Sequence, residues 1–159
     1  MTQRQSAGLV VYRLRDGEPQ VLLVHPGGPY WQRKDQGAWS IPKGEFGSDE
    51  EPLVAARREF TEETGLSIDG AFTALPVVRQ SGGKYVHPFA VEADLDAEAI
   101  RSNLFSMEWP PRSGRMMQFA EVDRAGWFSL QDAAEKLVSG QRPILDALRR
   151  MLTSGPPDV

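Results

Sequence analysis

The sequence predicts an α/β (α+β) fold in which helices cover a mixed β-sheet. Two observations predict it: short apolar segments rich in β-branched and aromatic residues recur along the chain, and helical segments separate and follow them. The length of 159 residues is that of a single domain. We expect this domain to span residues 1–153, with residues 154–159 forming a disordered C-terminal tail.

Two strands and a loop are predicted before the first helix. Residues 7–12 are apolar and partly β-branched, which is typical of a strand, and an Asp-Gly turn follows at 16–17. Residues 20–25 form the second strand, whose continuous apolar run indicates burial on both faces of the sheet. The loop at 26–35 then mixes aromatic and cationic side chains before a short apolar segment at 38–41.

Residues 48–64 are predicted to form a helix. Ser48 with Glu51 three residues later fits a capping box, and the acidic residues 49–51 suit the positive end of a helix. Gly65 fits a left-handed C-cap that ends the helix. Three apolar residues recur at helical spacing and are expected to face the core: Leu53, Ala56 and Phe60.

The second half of the chain has the pattern of four strands and two helices, which suits a layered domain. The strands are predicted at 75–78, 85–91, 116–119 and 126–128, the helices at 130–138 and 144–152, and a short helix or turn at 96–102. A stiff, basic loop is predicted at 109–115. His25 and His87 fall in predicted strands, and we expect a structural role for both.

Composition excludes several classes of function. The formal net charge is −4 and the pI is near 5.2, which argues against a nucleic-acid duplex as the main partner because phosphate contacts need a basic face. The chain has no cysteine, so disulfides, zinc–thiolate sites and cysteine nucleophiles are excluded. No apolar run approaches 18 residues and no signal-type apolar core is present, so we expect a cytoplasmic protein without a membrane partner.

Three glutamates of the predicted helix share one face. Glu59, Glu62 and Glu63 are spaced at i, i+3 and i+4, where like charges repel each other by a few tenths of a kcal/mol per pair. One interpretation is a solvated acidic helix face, which is what charge runs usually form. The other is a site for Mg²⁺ or Mn²⁺, because hard oxygen ligands on a rigid helix suit these ions.

The spacing around these glutamates resembles the Nudix box, the signature of the Nudix hydrolase family, written G-x5-E-x7-R-E-U-x-E-E-x-G-U with U a bulky apolar residue. Nine positions match it without insertion or deletion: Gly44, Glu50, Arg58, Glu59, Phe60, Glu62, Glu63, Gly65 and Leu66. The resemblance implies a Nudix-type α/β/α sandwich with a mixed sheet. It also implies hydrolysis of a nucleoside diphosphate linked to another moiety.

The same resemblance implies roles for individual residues. Glu59, Glu62 and Glu63 would bind Mg²⁺ or Mn²⁺, and Arg58 would hold a catalytic glutamate in position. The general base varies within the family, so Glu59 inside the box and Glu121 outside it both remain candidates. Glu121 precedes a Trp-containing strand, as an additional metal ligand or base does in several Nudix branches; the alternative is an ordinary surface charge.

Substrate contacts are expected outside the box helix. Lys43 is a candidate phosphate contact, and Gly44 would let the backbone approach the phosphates or turn tightly. Three aromatic residues could stack on a base: Trp31, Tyr30 and Trp39. Candidates for terminal phosphates lie in two loops: Arg112 and Arg115 in the basic loop, and Arg79 and Lys84 on either side of the Ser-Gly-Gly turn.

The Pro-Lys-Gly-Glu segment before the box favours a nucleoside triphosphate or a dinucleoside polyphosphate as the small-molecule substrate. The alternative function is a non-catalytic Nudix-fold module that binds a nucleotide for regulation, although such domains usually lose box carboxylates. Isomerase chemistry on isoprenyl diphosphates needs a cysteine in that branch of the superfamily, and this chain has none. A homodimer is possible.

Overall fold

The computed structural model describes residues 4–154. It contains nine strands and three α-helices over that range: β1 Arg4–Arg15, β2 Glu18–Pro26, β3 Lys43–Glu45, α1 Pro52–Thr64, β4 Thr73–Ala74, β5 Val78–Gln80, β6 Lys84–Glu92, β7 Leu104–Glu108, β8 Met116–Ala120, β9 Val122–Ser129, α2 Leu130–Lys136 and α3 Arg142–Ser154. Short 3₁₀ turns lie at Ala97–Ala99 and Ser139–Gln141. No described helix is long and apolar enough to cross a membrane.

Seven strands form the central sheet, and it is mixed as predicted. The order is β4-β6-β1-β2-β9, with β3 paired to β1 and β5 paired to β6. Strand β1 runs parallel to β6 and antiparallel to β2 and β3. Strands β7 and β8 form a separate antiparallel hairpin between β6 and β9 in the chain.

Helices cover both faces of this sheet. Alternate residues of β1 point to opposite faces, so Val10 belongs to the core under α2 and α3, whereas Leu9 and Val11 belong to the core under α1. Phe60 of α1 and Leu148 of α3 are the large buried side chains that close the two sides. The α/β/α sandwich is therefore confirmed.

The predicted burial of the second strand on both faces is also confirmed. Val21, Leu22, Leu23, Val24 and His25 are all buried. Strand β2 lies between β1 and β9 in the sheet, and helices cover both faces of the sheet. Neither face of β2 is therefore exposed to solvent.

The predicted start of the box helix is wrong. Helix α1 begins at Pro52, and its N-cap, Glu51, makes no side-chain capping bond, so Ser48 forms no capping box. The carboxylate of Glu50 instead accepts two hydrogen bonds from the guanidinium of Arg58. The C-cap prediction is confirmed, because Gly65 has φ 74° and its N–H donates to the carbonyl of Thr61 at 2.7 Å.

Other element boundaries differ from the predicted ones because they depend on which strands pair with each other. Strands β3 and β7 were not predicted: β3 is a polar segment of three residues and β7 has only five, and the two strands pair with β1 and β8, respectively. The predicted strand at 75–78 is wrong for most of its length, because residues 75–77 lie between β4 and β5 and only Val78 belongs to a strand. The predicted tail begins one residue too early, since Ser154 ends α3; residues 155–159 lie outside the described part of the chain.

Candidate active site

Arg58 lies at the centre of the box and contacts three glutamates. Its Nε and Nη2 donate to the two carboxylate oxygens of Glu50 at 2.8 and 2.9 Å. Its Nη1 donates to Glu59 at 2.8 Å and to Glu62 at 3.3 Å. These carboxylates raise the pKa of Arg58, chiefly through the bond to Glu50. A planar guanidinium can bond several carboxylates at once, so this one residue fixes the box loop to its helix.

Gly44 makes room for Glu59. A Cβ built on Gly44 would overlap the carboxyl group of Glu59 and lie only 2.5 Å from its Oε1. The glycine lies on β3, opposite Ala7 of β1, with the helix α1 packed above it. The missing side chain therefore lets the Glu59 carboxylate rest directly on the backbone of β3, which is a more specific role than the predicted approach of phosphates.

Glu63 is held against the same strand. The backbone N–H of Lys43 donates to Glu63 Oε1 at 3.2 Å. Burial raises the pKa of Glu63 to about 8 and lowers the pKa of Lys43. Strand β3 and helix α1 thus hold a basic side chain, Lys43, and an acidic one, Glu63, in a site that is partly shielded from water.

Glu121 is brought to the box by a series of backbone hydrogen bonds. The N–H of Asn103 donates to the carbonyl of Glu62, and the N–H of Glu121 donates to the carbonyl of Asn103, both at 2.9 Å. The carbonyl of Glu121 in turn accepts from Gly27 at 2.9 Å. A Cβ on Gly27 would overlap the carbonyl oxygen of Ala120, so only glycine permits this approach.

Glu59, Glu62, Glu63 and Glu121 form what we call the carboxylate cluster. Burial is the main cause of the raised pKa of Glu59, Glu63 and Glu121, and repulsion adds to it: Glu62 acts on Glu59 and Glu121, and Glu121 acts on Glu59 and Glu63. The four negative charges therefore lie close enough to destabilise one another when all are ionised.

A cavity of about 300 Å³ opens beside this cluster. Its lining combines two of the glutamates with two lysines, an aromatic ring and a pair of amides: Glu63, Glu121, Lys43, Lys84, Trp31, Gln80 and Gln141. A larger cavity of about 590 Å³ lies between the β1–β2 turn and α3, and none of the predicted site residues lines it. The smaller cavity is therefore the candidate for binding a substrate.

The other predicted contacts are less well placed. Arg112 and Arg115 lie in the loop between β7 and β8 and do not line this cavity. Tyr30 packs edge-on against Trp109 of that loop, with ring centroids 5.2 Å apart. Trp39 is buried and donates to Asp35, so it belongs to the scaffold.

The sequence pattern gave no sign of two amides at the cavity wall. Gln141 is fully buried; its Oε1 accepts from the N–H of Ile41 at 3.0 Å, and its Nε2 donates to Ser40 and Gln80. Both glutamines are isolated polar residues far from the box in sequence, and only the fold brings them to the cavity.

A model of the NUDIX domain matches residues 2–148, which is most of the chain. The chain belongs to the NUDIX family. Among curated proteins, the octanoyltransferase of Myxococcus xanthus is 30% identical over 134 residues, covering 84% of this chain and 33% of that protein. The RNA pyrophosphohydrolase of Bartonella henselae is 34% identical over 67 residues, covering 40% of this chain and 36% of that protein. The chain thus spans about a third of the length of these relatives.

Solved NUDIX structures share the fold. The Ap4A hydrolase of C. elegans, in a binary complex, superposes with a TM-score of 0.63 at 21% identity, over 96% of this chain and 99% of that chain. The NUDIX domain of Shewanella oneidensis NrtR, complexed with ADP ribose, gives a TM-score of 0.66 at 19% identity, over 96% and 90%. At these identities the likeness concerns the fold alone.

NUDIX enzymes generally use divalent metal ions, and the carboxylate cluster has the chemistry for one. Its ligands are carboxylate oxygens, which suit Mg²⁺ or Mn²⁺, and a cation would offset the repulsion that raises the pKa values of Glu59, Glu63 and Glu121. Within residues 4–154 no three acidic or histidine side chains already converge on one point. Arg58 bonds Glu59 through Oε1 alone, so the second oxygen of this carboxylate can bind a cation while the guanidinium stays in place.

Proposed function

We propose that this chain is a Mg²⁺-dependent pyrophosphohydrolase that cleaves a diphosphate linkage in a nucleotide, with a nucleoside triphosphate or a dinucleoside polyphosphate as the favoured substrate. The observation that carries the proposal is one cavity lined by acidic and basic groups together. Glu63 and Glu121 line it with Lys43 and Lys84. Metal-binding carboxylates beside phosphate-binding lysines are what cleavage of a polyanion needs.

The carboxylate cluster would hold the metal ion, through Glu59, Glu62 and Glu63. When bound, Mg²⁺ would supply charge neutralisation and lower the pKa of a coordinated water. A carboxylate then accepts the proton of the attacking water. Glu59 and Glu121 are the candidates, because burial raises the pKa of both and makes each a stronger base than an exposed glutamate.

Two lysines that line the cavity, and that form no ion pair within the described residues, support this choice of substrate. Within residues 4–154, neither Lys43 nor Lys84 has a carboxylate within 4.0 Å of its ammonium group, although both line the cavity. Burial is the main cause of the lowered pKa of Lys43; attraction by Glu63 acts in the opposite direction, and repulsion by Lys84 makes a smaller contribution that lowers the pKa further. An anionic group between the two ammonium groups would relieve this repulsion, which favours substrates with phosphates beyond the scissile pair.

Arg58 and Trp31 have supporting roles in this proposal. Arg58 keeps Glu50, Glu59 and Glu62 together and so orients the acidic face of α1. Trp31 lines the cavity with an exposed ring, and we assign it to substrate binding because a nucleobase can stack on that ring.

The test is a substrate screen with Mg²⁺, which reads the release of phosphate or pyrophosphate. The panel contains ATP, GTP, diadenosine tetraphosphate, ADP-ribose, UDP-glucose and a 5′-triphosphorylated RNA oligonucleotide. We expect turnover of a triphosphate or a dinucleoside polyphosphate, and ¹⁸O-labelled water will show which phosphorus is attacked.

A lysine variant tests the substrate preference. Lys84→Gln should raise KM for ATP by about tenfold, while any KM for ADP-ribose should change less than about twofold, because ADP-ribose has no phosphate beyond the scissile pair. Binding of nucleotides without turnover of any of them would replace the proposal with the regulatory module.

A further inference from the structure

Gln80 lines the candidate substrate cavity, and the proposed function gives it no role. It is the last residue of β5 and is half-buried. Among the described residues it forms one hydrogen bond, in which its side-chain oxygen accepts from Gln141. The two ends of a glutamine amide differ, because the oxygen only accepts hydrogen bonds and the nitrogen only donates them. What Gln80 can bind therefore depends on which end faces the cavity.

The orientation of the Gln141 amide is fixed by its own partners. The backbone N–H of Ile41 can only donate, so the end of the amide that lies 3.0 Å from it is the oxygen. The other end is the nitrogen, and it donates to Ser40 Oγ at 3.0 Å. The Ser40 hydroxyl uses its single hydrogen on the carbonyl of Ile41, so it is free to accept from Gln141. Because Gln141 has no exposed surface, its amide must be satisfied by these buried groups.

The second N–H of Gln141 determines the orientation of Gln80. The Nε2 of Gln141 lies 3.5 Å from the Oε1 of Gln80, which is a long hydrogen bond. The reverse orientation of Gln80 would bring two NH₂ groups together, and neither of them could accept. Gln80 therefore keeps its oxygen towards Gln141. Its Nε2 is left as a donor that has no acceptor among the described residues.

Gly140 keeps the side chain of Gln80 in this position. A Cβ built on Gly140 would lie 2.9 Å from the Cγ of Gln80 and 3.2 Å from its Cβ. Gly140 belongs to the 3₁₀ turn Ser139–Gln141, the same turn that carries Gln141. The aliphatic part of Gln80 thus packs directly on the turn whose amide orients it. A side chain that is already held in place loses little conformational entropy when it binds a ligand.

Lys84 is the neighbour of Gln80 at the cavity. The two residues lie directly opposite each other in the antiparallel pair of β5 with β6, where opposite side chains point to the same face with Cβ atoms about 5 Å apart. Both line the cavity. Arg79, which the sequence suggested as a phosphate contact, is the preceding residue of β5, so it points to the opposite face and does not line this cavity. Gln80 and Lys84 together therefore present hydrogen-bond donors and no acceptor.

We propose that Gln80 is a substrate-binding residue: its Nε2 donates, together with the ammonium group of Lys84, to the oxygens of one phosphate beyond the scissile pair. Gln141 is the positioning residue that turns the Gln80 amide. Phosphate oxygens only accept and so match a pair of donors, whereas the edges of nucleobases combine donors and acceptors. The pair thus selects substrates with at least three consecutive phosphates. The inference rests on the proposed function for the scissile pair, but the anion site itself does not depend on turnover.

Binding of an inorganic probe tests this site without turnover. Imidotriphosphate is a tripolyphosphate analogue without base or sugar, and its P–N–P links resist hydrolysis. Isothermal titration calorimetry with Mg²⁺ compares the wild type with Gln80→Leu, which keeps a similar volume and removes the amide. We expect the Kd to rise by at least about tenfold, because a hydrogen bond to a charged group is lost. The matched control is Gln131→Leu, an exposed position of α2 outside this cavity, whose Kd should stay within about twofold of the wild type.

Gln80→Glu tests the orientation of the amide. One carboxylate oxygen can still accept from Gln141, while the other takes the place of the donating nitrogen and repels a phosphate. The Kd for imidotriphosphate should therefore rise more in Gln80→Glu than in Gln80→Leu. An equal or smaller rise would overturn the proposal. Wild-type affinity in Gln80→Leu, or no binding of imidotriphosphate by the wild type, would overturn it as well.

NMR of the wild type provides a second measurement that needs no folded variant. In ¹⁵N spectra of the side-chain amides, imidotriphosphate should shift the NH₂ signals of Gln80 more than those of the exposed Gln131. Unshifted signals of Gln80 at saturating probe would contradict a direct contact.

A double-mutant cycle tests the positioning role of Gln141. Gln141→Leu removes the N–H that faces Gln80 and should raise the Kd for imidotriphosphate. In the Gln80→Leu background it should add less than about twofold, because Gln141 acts on the ligand through Gln80. A general structural role would weaken binding in both backgrounds. Additive effects, in variants that circular dichroism shows to be folded, would therefore contradict the positioning role.

Steady-state kinetics connects the site with the proposed function. Gln80→Leu should raise KM for ATP and for GTP alike, by about tenfold, with a smaller effect on kcat, whereas any KM for ADP-ribose should change less than about twofold. A rise for only one of the two triphosphates would assign Gln80 to the base and contradict the proposal. Absence of wild-type turnover with every nucleotide would refute the proposed function instead, and the calorimetry with imidotriphosphate would still decide the role of Gln80.

Discussion

Gly44→Ala tests the packing of the site more sharply than a change to any charged residue. The new Cβ would overlap the carboxyl group of Glu59 and lie 2.5 Å from its Oε1, where ordinary contacts begin at 3.4 Å. The Glu59 carboxylate must therefore move by on the order of 1 Å, a misplacement that can cost about 10²-fold in rate. Overpacking of this kind also lowers the free energy of unfolding by about 1–3 kcal/mol.

Two measurements report these effects: kcat/KM with the best substrate of the screen, and the free energy of unfolding in urea. Gly47→Ala is the matched control in the same loop. Its Cβ would meet only a carboxylate oxygen of Asp49, at 3.0 Å, which the exposed Asp49 side chain can relieve by rotating. We expect the control to keep kcat/KM within about twofold of the wild type.

Introducing Gly44→Ala into a Glu59→Ala variant tests whether the Glu59 carboxylate is the group that the new Cβ overlaps. Without the Glu59 side chain, Gly44→Ala has nothing to overlap there and should cost less than about 0.5 kcal/mol of unfolding free energy. An equal loss of stability in both backgrounds would refute the assignment of Gly44 as the residue that makes room for Glu59.

Three further predictions concern the charges of the site. Glu62→Gln and Glu63→Gln should each lower kcat by at least about 10²-fold with unchanged circular dichroism, because each removes a proposed metal ligand; near-normal turnover would remove that role. Arg58→Lys should lower kcat/KM by about 10–10²-fold, since a lysine cannot reproduce the paired bonds to Glu50, and an unchanged value would show that these bonds do not orient the box. Burial raises the pKa of Glu63 to about 8, above its ordinary 4.5, so its contribution to stability is complete below the ordinary value and is lost as the pH rises through about 8. In EDTA the Tm should fall between about pH 4.5 and about pH 8, and Glu63→Gln should lose that part of the fall; an identical fall in the variant would contradict the assignment.

The sequence was enough to predict the box and the general fold because both depend on local spacing. The i, i+3, i+4 pattern of glutamates and the left-handed glycine at 65 are features of one helix, and they hold whatever packs against it. The apolar run of β2 likewise needed only its own composition to indicate burial on both faces.

Contacts between distant segments do not follow from local spacing: Glu121 was a candidate only through the family resemblance and Lys84 only as a basic residue beside a turn, and neither could be placed at the box. Glu121 reaches the box through the backbone of Asn103, and Lys84 reaches the cavity because β6 runs parallel to β1. Neither arrangement leaves a periodic pattern in the sequence. The role of Gly44 was also hidden, because the overlap with Glu59 exists only when β3 pairs with β1 under α1.

The wrong helix start has a physical cause of the same kind. Ser48 and Glu51 have the spacing of a capping box. However, Glu50 accepts two hydrogen bonds from Arg58, and the backbone of Glu51, just before Pro52, is extended. The pairing of Glu50 with Arg58 is a contact over eight residues that also involves Glu59 and Glu62, and the local spacing of Ser48 and Glu51 does not reveal it.

The most direct test of the central claim is a titration with Mn²⁺ followed by electron paramagnetic resonance, comparing the wild type with the Glu62→Gln/Glu63→Gln double variant. If the carboxylate cluster holds a divalent metal ion, the wild type should remove free Mn²⁺ from solution, Mg²⁺ should compete for it, and the folded double variant should bind at least about tenfold more weakly. Equal Mn²⁺ binding by both proteins, or none by the wild type, would contradict the claim.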